Sequence, residues 1–262
     1  MRHMIWKTTE RDDRSLRIPT PTENYSGFTL RRINEPRFRH LWWLLFWPVY
    51  LLRYPLVEWL NPAETYHLIH CPLDDMIPFQ EWFIIPYMLW MVCMVAYCMY
   101  TLFYDVDVFR RYSRFLVITI SISSVMFLIY PSCQNLRPET FPRENVLTDC
   151  VKLLYRVDTN TNVFPSEHAI GSAAVWIAAM HTKSLRTPLR VTLITVLTTL
   201  TCFSTVFLKQ HSLLDIIAAM PICLLAYWLC FRSKTGHILT RKLRSKRSTS
   251  PYTRRKNKTY DT

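Results

Sequence analysis

The stretch WFIIPYMLWMVCMVAYCMYTLFY, residues 82–104, contains no charged side chain over its whole length. An apolar run of about 20 residues matches, as a helix, the thickness of the hydrocarbon core of a bilayer. Backbone polar groups inside a bilayer must be satisfied within the segment, which an α-helix does. The stretch therefore predicts a transmembrane helix, and it places the chain among integral membrane proteins of the all-α class.

Working outward from this stretch, five further segments are apolar enough to predict spans, although 40–60 contains Arg53 and Glu58. Segment 166–181 is short, but its small-residue run AIGSAAVWIAA lets helices approach closely. We expect a bundle of about six transmembrane helices. The predicted spans are 40–60, 82–104, 115–131, 166–181, 191–208 and 212–231.

The expected organisation is a membrane domain at 40–231 between two basic, largely disordered segments, 1–39 and 232–262. If the N-terminus is inside, 26 of the 32 Lys and Arg residues fall in the four cytoplasmic segments. This asymmetry is what the positive-inside rule requires, so we expect a multi-pass protein of the cell membrane with both termini cytoplasmic.

The net charge of +13 is thereby explained by topology, and no nucleic-acid partner is expected. The tail from Arg241 to Lys258 can contact anionic lipid headgroups, or it can be a disordered tail without that role. Only three glycines occur and no G-x-G-x-x-G is present, which argues against a dinucleotide cofactor. The eight cysteines form no C-x-x-C pair, and a Cys133–Cys150 disulfide is conceivable.

His211 and Asp215 are four residues apart, which places them on one face of the last predicted helix. An aspartate inside a span is costly unless it is paired. A carboxylate that accepts from one imidazole nitrogen fixes the tautomer and leaves the other nitrogen free, as in hydrolase triads. The same pair can also be structural, closing the end of the helix.

A second motif, FPSEH at 164–168, begins the span before. Ser166 is a plausible N-cap, and a helix N-terminus offers unpaired N–H groups to an anion. His168 in its first turn can donate a proton, or it can be an ordinary interfacial histidine. Arg137 lies in the preceding outer loop, 131–165.

Three further charged residues belong to the same predicted face. Lys209, in the turn before His211, is a candidate charge partner for phosphate. Asp74 and Asp75, in the first outer loop, are interpreted as solvated residues or as anions at the start of a helix.

Together these motifs resemble the type-2 phosphatidate phosphatase superfamily of membrane lipid phosphatases and phosphotransferases, over about residues 80–230. Its signature is Lys, six residues, Arg-Pro; then Pro-Ser-x-His; then Ser-Arg, five residues, His, three residues, Asp. The matches here are Arg137-Pro138, Pro165-Ser166-Glu167-His168, and Ser204 with His211 and Asp215. The departures are Tyr130 for the lysine, Thr205 for the second arginine and Glu167 for the usual glycine.

The resemblance implies a metal-independent, cofactor-free enzyme acting on a lipid phosphate. His211 would be the nucleophile, Asp215 would hold its tautomer, and His168 would be the general acid and base. Phosphate would be bound by Arg137, Ser166, Lys209 and Ser204. The missing cations favour diesters, as in relatives resembling sphingomyelin or inositol-phosphorylceramide synthases, or a weaker phosphatase. A metal site built from the two histidines and Asp215, and a non-enzymatic or degenerate membrane protein, are the alternatives.

Overall fold

The computed structural model describes residues 20–60 and 65–232, and helices make up 71% of them against 2% in strands. The all-α class is therefore confirmed. Eight α-helices are described. They are α1 Phe46–Leu60, α2 Pro72–Met76, α3 Ile84–Tyr104, α4 Val106–Ile129, α5 Val146–Val157, α6 Glu167–His181, α7 Pro188–Phe207 and α8 Leu213–Tyr227.

Short helical segments extend or join these helices. A 3-10 helix, Arg39–Leu45, leads into α1, and another, Glu81–Phe83, leads into α3. A π-helical turn, Trp228–Arg232, continues α8. The remaining 3-10 turns are Leu30–Arg32 and Lys183–Leu185.

Four described helices are long and apolar enough to cross a membrane. They correspond to four of the six predicted spans and occupy Glu81–Tyr104, Val106–Ile129, Pro188–Phe207 and Leu213–Arg232. The other two predicted spans are helical as well, but α1 and α6 have only 15 residues each. At 1.5 Å per residue such a helix is about 22 Å long, shorter than the hydrocarbon core. The count of six therefore stays a prediction.

The second of these spans begins well before the predicted residue 115. Asp105 caps α4 by accepting a hydrogen bond from the Val108 backbone N–H at 3.1 Å. The helix then carries Arg110, Arg111 and Arg114 through its first turns. The sequence reading excluded these charged turns from the span, whereas an N-cap fixes a helix start whatever the polarity of the turns after it.

Helix α6 is the centre of the bundle and packs against α3, α4, α7 and α8. Its small side chains make this close packing possible, as the sequence predicted. A Cβ added at Gly171 would lie 2.5 Å from Sδ of Met94 and 2.6 Å from Nε1 of Trp90. Buried residues on its faces include Ala169, Ala174, Ala178 and Ala179.

The outer faces of the bundle carry large exposed apolar side chains, which suits contact with lipid. Examples from α1, α3, α7 and α8 are Leu52, Val92, Leu193 and Leu224. Of the predicted disordered segment 1–39, residues 20–39 are described. Phe38 in it is fully buried, and the Thr22 N–H donates to the Phe103 carbonyl. Residues 1–19 and the basic tail Arg241–Lys258 lie outside the described residues.

One end of the bundle gathers the loops that carry the sequence motifs. There, β1 (His67–Leu68) pairs in parallel with β2 (Ser132–Cys133), which joins the chain after α1 to the chain after α4. The Ser166 N–H donates to the Asp215 carbonyl at 3.0 Å, which joins the starts of α6 and α8.

The predicted loop 131–165 contains a helix that the sequence reading missed. Helix α5 is capped by Asn145, whose side chain accepts from the Thr148 N–H at 3.0 Å. It packs against α3 at the loop end of the bundle.

Candidate active site

His211 and Asp215 form the hydrogen-bonded pair that their spacing predicted. His211 Nδ1 lies 3.0 Å from Asp215 Oδ2, and the aspartate side chain is fully buried. Because a carboxylate can only accept, Nδ1 carries the hydrogen and Nε2 keeps its lone pair. The Ser212 N–H donates to the same Oδ2 at 3.0 Å, so the carboxylate is held by two donors. This arrangement suits a nucleophilic imidazole.

Asp74 fixes the start of α8 from another part of the chain. Its carboxylate accepts from the Ser212 hydroxyl at 2.6 Å and from the Leu213 N–H at 2.9 Å. Burial alone would raise the pKa of Asp74, but hydrogen bonds from Ser212, Leu213 and Cys71 lower it below its usual value. Asp74 is indeed an anion at the start of a helix, α2, yet it is buried, and its contact with α8 was not foreseen. Asp75 is exposed, as predicted.

His168 lies opposite His211 in the first turn of α6, with ring centroids 5.4 Å apart. Its ring packs against Tyr87 and Trp90, whose ring centroids are 4.5 and 4.2 Å away. Its Nδ1 is buried and has no hydrogen-bond partner. Ser166 caps the helix as predicted, accepting from the Ala169 N–H at 3.4 Å.

The two histidine rings line one cavity of about 330 Å³. Part of its wall is apolar and is formed by Leu51, Met88, Met91, Phe127 and Leu154. Its polar lining includes Arg53, Asp158, Asn162, Glu167 and Gln210. The cavity thus combines two imidazoles with an apolar wall, which is suited to an amphiphilic ligand.

Arg137 is close to this site but is occupied by protein groups. Its Nε and Nη2 donate to Gln210 Oε1 at 3.0 and 2.6 Å. Nη1 donates to the Tyr155 carbonyl at 3.0 Å, and Nη2 also donates to the Asp158 carbonyl at 2.7 Å. Burial lowers the pKa of the guanidinium. Arg137 does not line the cavity, and it acts on it by holding Gln210, the neighbour of His211.

The other predicted phosphate-binding residues also have protein partners. Lys209 Nζ donates to the Asp74 carbonyl at 2.6 Å, and burial lowers its pKa. Ser204 is fully buried in α7 and donates to the Thr201 carbonyl at 2.6 Å. Ser166 is fully buried at its cap. The structure thus brings together His168, His211 and Asp215, whereas none of these phosphate-binding candidates lines the cavity.

The two positions that replace family cations contribute no charge to the cavity. Tyr130 stacks on His67, with ring centroids 4.2 Å apart. Thr205 is buried, and its carbonyl accepts the N–H groups of Gln210 and His211, which shapes the turn before α8. Lys209 in this turn has a positive φ of 56°.

Two cavity residues escaped the sequence reading as site residues, and they form an ion pair. Arg53 Nη2 lies 2.6 Å from Glu167 Oε2. The sequence did contain a signal for them, because each of the two weaker predicted spans contains one of these charged residues. Ionisable residues within a membrane span usually pair with one another or serve a function.

A comparison with family models gives one match. The model described as the PAP2 superfamily matches residues 111–238, just under half of the chain. Residues 111–238 form a PAP2 superfamily domain. Proteins of this superfamily are generally phosphatases or phosphotransferases. The four apolar helices, together with this domain, support a membrane protein.

The matched range contains all three predicted motifs, from Arg137 to Asp215. No curated protein and no solved structure gives a significant match to the chain. Within residues 20–60 and 65–232, no group of three or more His, Cys, Asp or Glu side chains is arranged to hold a metal ion. Cys133 and Cys150 are both free thiols, so the conceivable disulfide is not formed.

Proposed function

We propose that the chain is an integral membrane phosphoesterase that removes phosphate from a lipid-linked phosphate through a phosphohistidine at His211. The observation that carries this proposal is the pair of imidazoles facing one cavity. His211 Nδ1 is hydrogen-bonded to the buried carboxylate of Asp215 at 3.0 Å. The ring centroid of His168 lies 5.4 Å from that of His211.

In the first step, Nε2 of His211 attacks phosphorus and the bond from phosphorus to the lipid oxygen breaks. His168 donates a proton to the departing alkoxide, which leaves as the lipid alcohol. Asp215 stabilises the positive charge that His211 acquires when it becomes phosphorylated. Asp215 makes no bond to phosphorus.

In the second step, His168 accepts a proton from water as the water oxygen attacks the phosphohistidine. The bond between phosphorus and Nε2 breaks, phosphate leaves and His211 is regenerated.

The lipid nature of the substrate is supported by the cavity wall and the setting. Apolar side chains from α1, α3, α4 and α5 line the cavity together with the two histidines. A lipid phosphate can then place its chain against the apolar side chains and its headgroup at His211.

We further propose that the chain crosses the membrane six times, with both ends cytoplasmic and the site on the outer side. The basic segments support this orientation. Helices α1 and α6 are short, and α1 is extended at its start by the 3-10 helix Arg39–Leu45.

Lipid phosphotransfer is the second candidate. It is favoured by the absence of family cations at Tyr130 and Thr205 and by the occupation of Arg137 in protein contacts. A site with little positive charge suits a phosphodiester monoanion better than a monoester dianion. An acceptor alcohol would then replace water in the second step.

The test is an assay of the full-length protein in detergent micelles on lipid phosphate monoesters and diesters, with and without chelator and an acceptor lipid. We expect chelator-resistant release of phosphate that His211→Ala abolishes and Arg156→Ala, a change at an exposed cation on α5, leaves intact. Transfer to the added lipid would favour the second candidate. Full activity of His211→Ala would overturn the proposed nucleophile, and an inactive wild type would indicate a degenerate member.

A further inference from the structure

The cavity lining carries little positive charge to bind a phosphate dianion. Among the described residues of its lining, Arg53 is the one Lys or Arg side chain. Two carboxylates, Asp158 and Glu167, line the same cavity. Asp158 already accepts from the Tyr87 hydroxyl at 2.6 Å and from Gln210 at 3.2 Å. Arg53 and Glu167 are the charged lining residues that each have a buried side-chain atom without a hydrogen-bond partner.

Arg53 is held in place by its neighbours, and one of its three nitrogen atoms is buried without a partner. Its Nη2 donates to Glu167 at 2.6 Å, its Nη1 donates to the Ser124 hydroxyl at 2.8 Å, and its guanidinium lies 5.3 Å from the ring centroid of Tyr50. The Nε donor is buried and has no partner. A buried guanidinium N–H without an acceptor is costly, which points to an acceptor supplied from the cavity.

Glu167 has one carboxylate oxygen without a hydrogen-bond partner. Its Oε2 receives hydrogen bonds from Arg53 and, at 3.2 Å, from the Tyr50 hydroxyl. Its Oε1 is buried and has no partner. The residue is only 9% exposed, and it lines the same cavity as His168.

We propose that the Arg53–Glu167 pair is a specificity site for lipid phosphates that carry an amino group close to the phosphate. The Arg53 Nε–H binds a phosphoryl oxygen, and Glu167 Oε1 accepts from the ammonium group of the same headgroup. Such a ligand satisfies both unpaired atoms at once. It also has a lower net negative charge than a plain alkyl phosphate, which suits a cavity with one arginine and two carboxylates.

This inference rests on the proposed function for the substrate's phosphate, but it concerns a different part of the ligand. A hydroxyl group at the same position also donates a hydrogen bond, although without the charge that a carboxylate favours. The expected order of preference is therefore amino first, hydroxyl second and unsubstituted chain last. Water alone filling the two positions would give no such order.

The experiment compares three long-chain alkyl phosphates of equal length: unsubstituted, 2-hydroxy and 2-amino. Hydrolysis and binding are both measured with the full-length protein in micelles, binding through Trp fluorescence of the hydrolysis-deficient His211→Ala variant. A charged hydrogen bond corresponds to a preference of about ten- to a hundredfold. We expect the 2-amino compound to exceed the unsubstituted one by that factor in both kcat/KM and affinity.

The matched variants are Glu167→Gln and Glu139→Gln, the latter removing an exposed carboxylate outside the cavity. Glu167→Gln keeps an oxygen for Arg53 and should reduce the amino preference to threefold or less, whereas Glu139→Gln should leave it unchanged. Equal use of the three compounds by the wild type, or an amino preference that survives in Glu167→Gln, would overturn the inference. If Glu167→Gln does not fold, the wild-type comparison still decides.

Failure of the proposed function gives a different pattern. No hydrolysis of any compound, together with amino-selective binding that Glu167→Gln removes, would reject the phosphoesterase and retain the specificity site. Hydrolysis of all three at equal rates would retain the phosphoesterase and reject the specificity site.

Discussion

Replacing Asp215 by asparagine removes a negative charge from the site but should keep the hydrogen bonds to His211 and Ser212. Both side-chain hydrogen bonds of Asp215 end on Oδ2, from His211 Nδ1 and from the Ser212 N–H. Oδ1 is buried without a partner. Asparagine can therefore place its carbonyl oxygen at the Oδ2 position and keep both bonds. We expect the histidine tautomer to be unchanged in Asp215→Asn.

The loss of charge sets the size of the effect. A hydrogen bond to a charged group contributes about 1–2 kcal/mol more than a neutral one. Because His211 becomes cationic only when phosphorylated, this difference acts on the reaction, and it corresponds to about a five- to thirtyfold fall in kcat. The new amide N–H₂, buried without an acceptor, should also cost about 1–3 kcal/mol of stability.

The fall in kcat is measured by steady-state hydrolysis of a lipid phosphate by the wild type, Asp215→Asn and Asp215→Ala. The alanine variant loses both hydrogen bonds and frees the His211 ring, so its kcat should fall at least tenfold below that of the asparagine variant. A fall of about 10⁴-fold in Asp215→Asn would show that the amide has inverted the tautomer. That result, or an unchanged kcat, would refute the reasoning.

Three further predictions concern residues around the site. Arg137→Lys should lower the thermal unfolding midpoint by several degrees and reduce kcat, because lysine cannot replace the guanidinium bonds that hold Gln210; both are measured on purified protein in detergent. Gly171→Ala should cost about 1–3 kcal/mol and lower kcat, because the added Cβ displaces Trp90 from His168; thermal unfolding and hydrolysis assays test this. Hydrogen bonds lower the pKa of Asp74, so its carboxylate stabilises the fold above its unfolded-state pKa of about 4. This contribution is lost as the pH falls through the lower pKa of the folded state. Acid unfolding should therefore be steeper in the wild type than in Asp74→Asn.

The predictions at Arg137 and Asp74 each have a control variant at an exposed residue. Arg156→Lys changes an exposed arginine of α5 and should alter neither the unfolding midpoint nor kcat. Asp75→Asn changes the exposed carboxylate beside Asp74 and should keep the acid unfolding of the wild type. If Arg137→Lys matched its control, the network around Gln210 would be without consequence. If Asp74→Asn unfolded in acid as the wild type does, the buried contact with α8 would contribute nothing.

The sequence predicted the parts of the fold that depend on local pattern. Charge-free runs such as 82–104 indicate helices by composition alone, and four of the six predicted spans are helices long enough to cross a membrane. The His211–Asp215 contact follows from a spacing of four on one helix. Helix α5 was missed because it lies in a polar loop, although Asn145 as an N-cap before an amphipathic stretch indicated it.

The remaining features depend on contacts between distant parts of the chain. Arg53 and Glu167 are 114 residues apart, and no local pattern reports that their side chains meet. Arg137 was expected to bind phosphate because it matches a motif, yet its donors reach Gln210 and two carbonyls. A motif gives the identity of a side chain, whereas its hydrogen-bond partners are decided by the packing of α5 and of the turn before α8.

The central claim is that phosphate is transferred to His211. The direct measurement is rapid acid-free quenching of the full-length protein with a lipid phosphate substrate, followed by peptide mass spectrometry for a phosphoryl adduct. We predict an adduct that is labile in acid and stable in base, located on His211 and absent from His211→Ala. An adduct on another residue, or turnover at the wild-type rate by His211→Ala, would contradict the account.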